Sequence, residues 1–432
     1  MNWLDLVYLK VAGLTAPWWM LKKRHGWAER FGKIEPVADR GLPRLLIHAV
    51  SVGEVSALRE LVPLLTPRAH VIISVGTDTG IKRARELFAS TCDVVRYPLD
   101  ASWAVKRFLN RVRPAAVGLV ELELWPNFVA ECTRRSIPVG VINGRLSERS
   151  FKGYRKLRWF MERTFGALKF AAVQDEDYAA RFVAMGVPPE RCMVTGNMKW
   201  DAARVEDSVA GADALAREMG IRRGPGAPPL VVVGSTGPEE EALLYAAAEQ
   251  VEQTLGPIQL LCAPRKPERN DEAARAMGAG VVRRTSRKPG NGSTRFLLDT
   301  IGELRGAYAL ADVVVIGRSF GDLYGSDPTE PIGLGKATVI GPAIKDFKAA
   351  VEAFDVAGGI VRTTREGLTR ALTELLREPG KREDLARRGR ECIRQHQGAS
   401  ARHAEMLLEL VSPRRDVRPQ VVTAPSRESA AP

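Results

Sequence analysis

Residues 48–55 (HAVSVGEV) lead from an apolar run through Ser51 and Gly53 into a helical pattern whose first turn holds Glu54. In a parallel α/β unit this places a carboxylate at the C-terminal edge of the sheet, the usual ligand edge of such folds. The positive end of the helix favours its ionised form. An ionised glutamate there can take a proton from an attacking hydroxyl, which is general-base chemistry; its competing role is to partner the helix dipole. Residues 120–127 (VELELWPN) add Glu121 and Glu123. These either hold acceptor hydroxyls or position Arg145 in residues 142–150 (INGRLSERS), where Asn143 also lies; pairing with Arg145 or Arg149 is the structural alternative. Pro126 suits the first turn of a helix. Residues 194–201 (VTGNMKWD) offer Asn197, Lys199 and Asp201 either to the site or to hinge packing.

A second group reads as an anion site. Ser235 and Thr236 close the run PLVVVG. Their hydroxyls and the following N–H groups either cap a helix or hold a phosphate, because both uses draw on the same unpaired donors. Arg265 in residues 264–269 (PRKPER) carries a planar fork matched to phosphate, with Lys266 beside it, while Arg269 reads as a structural ion-pair partner. Gly302 and Glu303 (in DTIGEL), Arg318 and Ser319, and then Glu330 follow in sequence. The five cysteines are far apart and the histidines show no ligand spacing, so neither disulfides nor a metal site are expected.

Such loops need a scaffold that presents them along one edge. From Arg44 onward, short β-rich runs (RLLIHAV, HVIISVG, AAVGLVE, PVGVING) alternate with amphipathic stretches. The alternation predicts parallel βαβ units, and strands without a polar face predict sheets covered on both sides. The pattern restarts with PLVVVGST, PIQLLCAPR, ADVVVIGRSF and ATVIGP. The expected fold is therefore α/β, with two Rossmann-like doubly wound domains, a cleft between them and an N-terminal membrane-associating helix. Residues 3–21 are apolar but carry Asp5, Lys10 and Pro17, and Lys22-Lys23-Arg24 follow Trp18-Trp19. That order suits a monotopic headgroup anchor better than a span or a signal peptide, with a buried first helix as the alternative. The expected divisions are 1–30 (membrane-associating segment), 31–220 (acceptor domain), 221–411 (nucleotide-sugar domain) and 412–432 (disordered tail). The inner boundary rests on residues 222–229 (RRGPGAPP), and residues 283–295 read as a surface loop. A net charge of +13 calls for an anionic partner. Nucleic acid is not expected, because basic clusters and aromatics do not interleave and no zinc-finger or RRM signature occurs. With 45% hydrophobic and 27% charged residues the chain is neither wholly disordered nor a multi-span membrane protein.

Paired Rossmann-like halves match the layout of GT-B glycosyltransferases. HAVSVGE, VELELWPN, INGRLSERS, VTGNMKWD, PRKPER and DTIGEL, with GWAERFG at residues 26–32, resemble the Kdo (3-deoxy-D-manno-octulosonic acid) transferases in order and spacing. The resemblance implies an inverting, metal-independent enzyme of lipopolysaccharide biosynthesis that needs no cofactor. It would move Kdo from the donor substrate CMP-Kdo to a lipid A precursor, bound peripherally or monotopically to the anionic cytoplasmic face of the inner membrane. It implies Glu54 as general base, with Ser51, Gly53, Glu121, Glu123, Asn143, Arg145 and Lys199 on the acceptor side. Ser235, Thr236, Arg265, Lys266, Gly302, Glu303, Arg318, Ser319 and Glu330 fall on the donor side, Glu330 as an acceptor for ribose hydroxyls. Three family histidines are replaced: Gly237 stands in S-T-H, Lys266 in P-R-H-P-E-R, and Gly325-Ser326-Asp327-Pro328 in place of G-G-H-N. Lys266 and Arg318 can restore positive charge near a phosphate, whereas Asp327 acts the other way. The alternatives are another nucleotide sugar on the same scaffold, or a non-catalytic lipid-binding envelope protein with a decayed donor site.

Overall fold

The structure, a computed structural model, describes residues 25–411 apart from Lys288 and Asn291. The expected anchor up to Arg24 and the tail from Ser412 lie outside the described residues. Among the described residues no helix is long and apolar enough to cross a membrane.

The chain folds into two compact units, each built on a seven-stranded parallel sheet. In the first, β1 (Arg44–Ala49), β2 (His70–Val75), β3 (Asp93–Arg96), β4 (Ala116–Val120), β5 (Val139–Gly144), β6 (Phe170–Val173) and β7 (Cys192–Val194) lie in the order β3-β2-β1-β4-β5-β6-β7. The second holds β8 (Leu230–Thr236), β9 (Gln259–Pro264), β10 (Val282–Arg283), β11 (Arg295–Leu297), β12 (Val313–Ile316), β13 (Ala337–Ile340) and β14 (Val361–Arg362). Their order is β10-β11-β9-β8-β12-β13-β14. Both sheets are doubly wound, and the order reverses beside the first strand, at β1/β4 and at β8/β12. Side chains alternate between faces along a strand, so a strand with no polar face feeds two cores. On β8, Leu230 and Val232 join Val314 and Ile316 on one side, while Val231 and Val233 join Val313 and Val315 on the other.

The division between the units differs from the expected one. The chain leaves the first unit at Thr195 and returns to it at Ser400, rather than crossing once near residue 220. Trp200, Ala203, Leu215, Ala216 and Met219 are buried in the second unit's core, which claims the segment ahead of the expected linker. Residues 222–229 lack an apolar period because they form the loop into β8, held by the Gln259 side chain bonding to Arg222 and to the Pro228 carbonyl. The last described helix, Ala399–Val411, packs on the first sheet: a Cβ on Gly118 of β4 would lie 2.8 Å from Leu407. Its His403 is 2.8 Å from the Thr195 hydroxyl. The expected surface loop at 283–295 starts in β10 and includes a 3-10 turn at Arg284–Ser286.

Candidate functional site

The switch point of the first sheet lies between the C-terminal ends of β1 and β4, where a doubly wound fold leaves a crevice for ligands. Beyond β1, Ser51 caps the helix Val52–Ala57 in a capping box with Glu54. The Glu54 carboxylate accepts from Val50 N–H at 2.8 Å, Ser51 N–H at 3.3 Å and the Ser51 hydroxyl at 2.6 Å, while Ser51 Oγ accepts from Glu54 N–H at 3.3 Å. The helix-dipole role therefore takes a definite form, and it also fixes the carboxylate at the sheet edge. Gly53 is exposed on the same turn.

Beyond β4, Glu121 adopts a φ of 58°, and Asn143 on neighbouring β5 one of 52°. Left-handed backbone costs a non-glycine residue on the order of 1–3 kcal/mol and concentrates at functional sites. The Arg145 guanidinium bonds the Tyr178 hydroxyl and also feels the charge of Glu121. Glu123 instead accepts from the Trp125 indole at 2.9 Å, and Trp125 precedes a helix starting at Pro126 as expected. Burial pushes Glu123 up to about 7; Glu54 and Glu121 add to the rise and the Trp125 bond opposes it. Asn143 is buried, its N–H directed at His403 Nε2 and its carbonyl accepting from Gln174. His48, present in the HAVSVGE motif but given no role from sequence, lies fully buried on β1 with Nε2 3.9 Å from Glu123 Oε2.

The second sheet repeats the arrangement at the ends of β8, β9 and β12. Ser235 and Arg318 have φ of 60° and 59°, and a Cβ on Gly317 would sit 2.5 Å from the Ser235 carbonyl oxygen, so the two loops touch through their backbones. Arg265 N–H bonds the Thr236 carbonyl at 3.1 Å, and the side chains of Arg265 and Lys266 are exposed. Sequence reasoning missed Glu240. Only 2% exposed, Glu240 accepts N–H bonds at its carboxylate from Gly237 (2.7 Å), Arg318 (2.6 Å), Ser319 (2.9 Å) and Phe320 (3.0 Å). It ties the β8 and β12 loops together, and only the run of three glutamates after Pro238 hints at it.

Several expected donor residues are engaged elsewhere. Ser319 is buried, its hydroxyl donating to Ile316 O and accepting from Gly341 N–H, so its one proton is committed to the backbone. The buried Thr236 hydroxyl donates to Glu241 at 2.5 Å, and Glu241 is held by Arg269, the structural ion pair expected of that arginine. Glu303 pairs with Arg284 and accepts from Thr300. Gly302, with φ 95°, makes the turn before it. Glu330 lies 3.5 Å from Arg305, and burial raises its pKa against that cation. Lys199 is exposed on a 3-10 turn of the second unit, where its neighbour Trp200 stacks on His396 and meets Phe354 edge-on. Two of the departures from the family pattern have local reasons. A Cβ at Gly237 would meet Leu323 at 2.6 Å, and Asp327 accepts from Thr329 N–H and hydroxyl, capping the turn into the helix Thr329–Gly333.

Residues 25–202 match the family model described as 3-deoxy-D-manno-octulosonic-acid transferase (kdotransferase). The 3-deoxy-D-manno-octulosonic acid transferase of Bordetella pertussis is 31% identical over 397 residues, covering 88% of this chain and 90% of that protein. This chain belongs to the Kdo transferase family. The Kdo transferase of Haemophilus influenzae is 29% identical over 419 residues, 95% of each chain, so the relationship extends through the second unit. Among solved structures, MurG of Acinetobacter baumannii aligns at a TM-score of 0.54 with 13% identity, over 85% of this chain and 99% of that one. A UDP-GlcNAc 2-epimerase of Neisseria meningitidis aligns at 0.53 with 13% identity and the same coverage. Those two show the fold, a GT-B-like pair of parallel-sheet α/β domains, and nothing of the substrate.

Proposed function

We propose that this chain is an inverting glycosyltransferase that moves Kdo from CMP-Kdo to a lipid A precursor, peripherally bound at the cytoplasmic face of the inner membrane. The observation that carries the reading is identity to full-length Kdo transferases across both units. In this reading the acceptor hydroxyl gives its proton to Glu54 as its oxygen bonds the anomeric carbon of Kdo. The bond from that carbon to the phosphate oxygen breaks, CMP leaves with the electron pair, and attack from the opposite face inverts the centre. No cofactor takes part. Ser235, Arg265, Lys266 and Arg318 supply the donor-side positive charge and backbone donors, consistent with the strained ends of β8 and β12. Glu330 meets the ribose.

The membrane reading draws support from the helices Glu148–Arg155 and Arg158–Gly166. Leu157 is 52% and Trp159 73% exposed, among the exposed cations Arg155, Lys156 and Arg158. Apolar side chains flanked by cations are the pattern of an interfacial contact with anionic lipid. The test is incubation with CMP-Kdo, generated in situ, and a tetraacylated lipid A precursor, followed by mass spectrometry of the lipid. The reading expects a product heavier by whole Kdo residues. Transfer from another nucleotide sugar, or lipid binding with no product, would replace it.

A further inference from the structure

His48 is fully buried, its ring stacked on Tyr97 with centroids 3.6 Å apart. Burial lowers its pKa to about 3, so the imidazole is neutral. Nδ1 lies 3.0 Å from the Ser74 carbonyl oxygen and 3.1 Å from Ser74 Oγ. A carbonyl only accepts, and the Ser74 hydroxyl directs its own hydrogen to Ile47 O, so the ring proton sits on Nδ1. Nε2 is then a buried lone pair with no hydrogen-bond partner among the described residues. Facing it at 3.9 Å is Glu123 Oε2. An ionised carboxylate there would set acceptor against acceptor; a protonated one, after a small turn of the carboxyl group, supplies the missing donor.

The surroundings decide which carboxylate carries the proton. Glu54 on the helix after β1 is held by three donors, and Glu121 feels the charge of Arg145. Glu123 faces Glu54, Glu121 and the Tyr154 hydroxyl, and its one donor among the described residues is the neutral Trp125 indole. We propose that Glu123 is held as a neutral carboxylic acid whose proton is directed to Nε2 of His48, so that Glu54 acts without a second uncompensated negative charge beside it. His48 is then a positioning residue that acts through Glu123. The role rests on reading Glu54 as the base. Ionising Glu123 would place a negative charge against substrates that, in that reading, are both anionic, and so weaken their capture.

Two measurements on the full-length protein test this. Infrared difference spectra between pH 6 and pH 9 should show a protonated-carboxyl band that titrates near 7, is missing from Glu123→Gln, and moves to lower pH in His48→Phe, where the acceptor is gone. With CMP-Kdo and the lipid precursor, kcat/KM should fall roughly tenfold as pH rises through the same midpoint. That alkaline limb should disappear in Glu123→Gln and follow the band downward in His48→Phe. If the band persists in Glu123→Gln, or the limb keeps its midpoint there, the proposal is wrong; this holds even if His48→Phe fails to fold. The infrared result needs no turnover. A Glu54→Gln protein that stays active would therefore sink the base assignment while the band still decides the state of Glu123.

Discussion

Glu54→Gln separates the two roles that the structure gives one side chain. The substitution keeps the length and one acceptor oxygen but turns a donor toward groups that now donate: Val50 N–H at 2.8 Å, and Ser51 N–H and hydroxyl at 3.3 and 2.6 Å. Weakening the returning half of a capping box costs about 0.5–2 kcal/mol. For a unit of about 200 residues this lowers the melting temperature by roughly 1–8 °C. If Glu54 also takes the acceptor proton, turnover per folded molecule falls by roughly 10²–10⁴. Calorimetric affinity for CMP should hardly move, since the proposed phosphate ligands belong to the second unit. The assay combines rate, folded fraction and CMP affinity on one preparation. A Glu54→Gln protein that melts a few degrees early yet turns over at nearly the full rate per folded molecule would leave only the capping role and remove the base from the mechanism.

Arg265→Ala should weaken CMP binding roughly tenfold to hundredfold by calorimetry, the loss of about 1.5–3 kcal/mol expected for a charged hydrogen-bonding partner; an unchanged dissociation constant would assign Arg265 to structure. Glu240→Gln turns an NH₂ group toward two of the four N–H donors now bonded to the carboxylate. Each orphaned buried donor costs about 1–3 kcal/mol, so scanning calorimetry should show the second unit destabilised by roughly 2–6 kcal/mol. Glu131 is held down to about 2 by hydrogen bonds from Arg134 and Arg135, against its own burial. Because the folded pKa is depressed, its contribution, up to about 3 kcal/mol, is complete above the ordinary glutamate range and is lost as pH falls from about 4.5 toward 2. The gap in urea midpoint between the native chain and Glu131→Gln should therefore be wide at pH 6 and close below pH 3.

Much of the site was legible because a doubly wound fold sends strand-end loops to one edge. HAVSVGE, VELELWPN and the loops after β8, β9 and β12 could be placed there from the alternation of apolar runs and helices alone. Of the non-glycine residues with positive φ, Glu121, Asn143, Ser235 and Arg318 lie in the sequence motifs, whereas Arg113, Ser136, Glu239 and Arg287 do not. The roles of Ser319, Thr236 and Glu303 were not legible, since a hydroxyl or carboxylate near a loop looks the same whether it meets a ligand or its own backbone. The domain boundary was misplaced for a related reason. A polar, glycine- and proline-rich stretch marks a surface loop, and nothing local separates a loop inside a unit from a linker between units.

By itself the sequence determined what depends on neighbours a few residues away: parallel strands buried on both faces, the turn through Ser51 into a helix with Glu54 in its first turn, the helix starting at Pro126, and the family those motifs belong to. Only the tertiary structure decided what depends on partners far along the chain. Glu240 gathers N–H groups 78 to 80 residues distant, and His403 reaches Thr195 208 residues away, which returns the last described helix to the first sheet. Glu123 owes its raised pKa to burial and to Glu54. Local periodicity encodes which face of an element is apolar, whereas the field and the bonding partners at a buried polar group are set by whichever elements the fold packs against it.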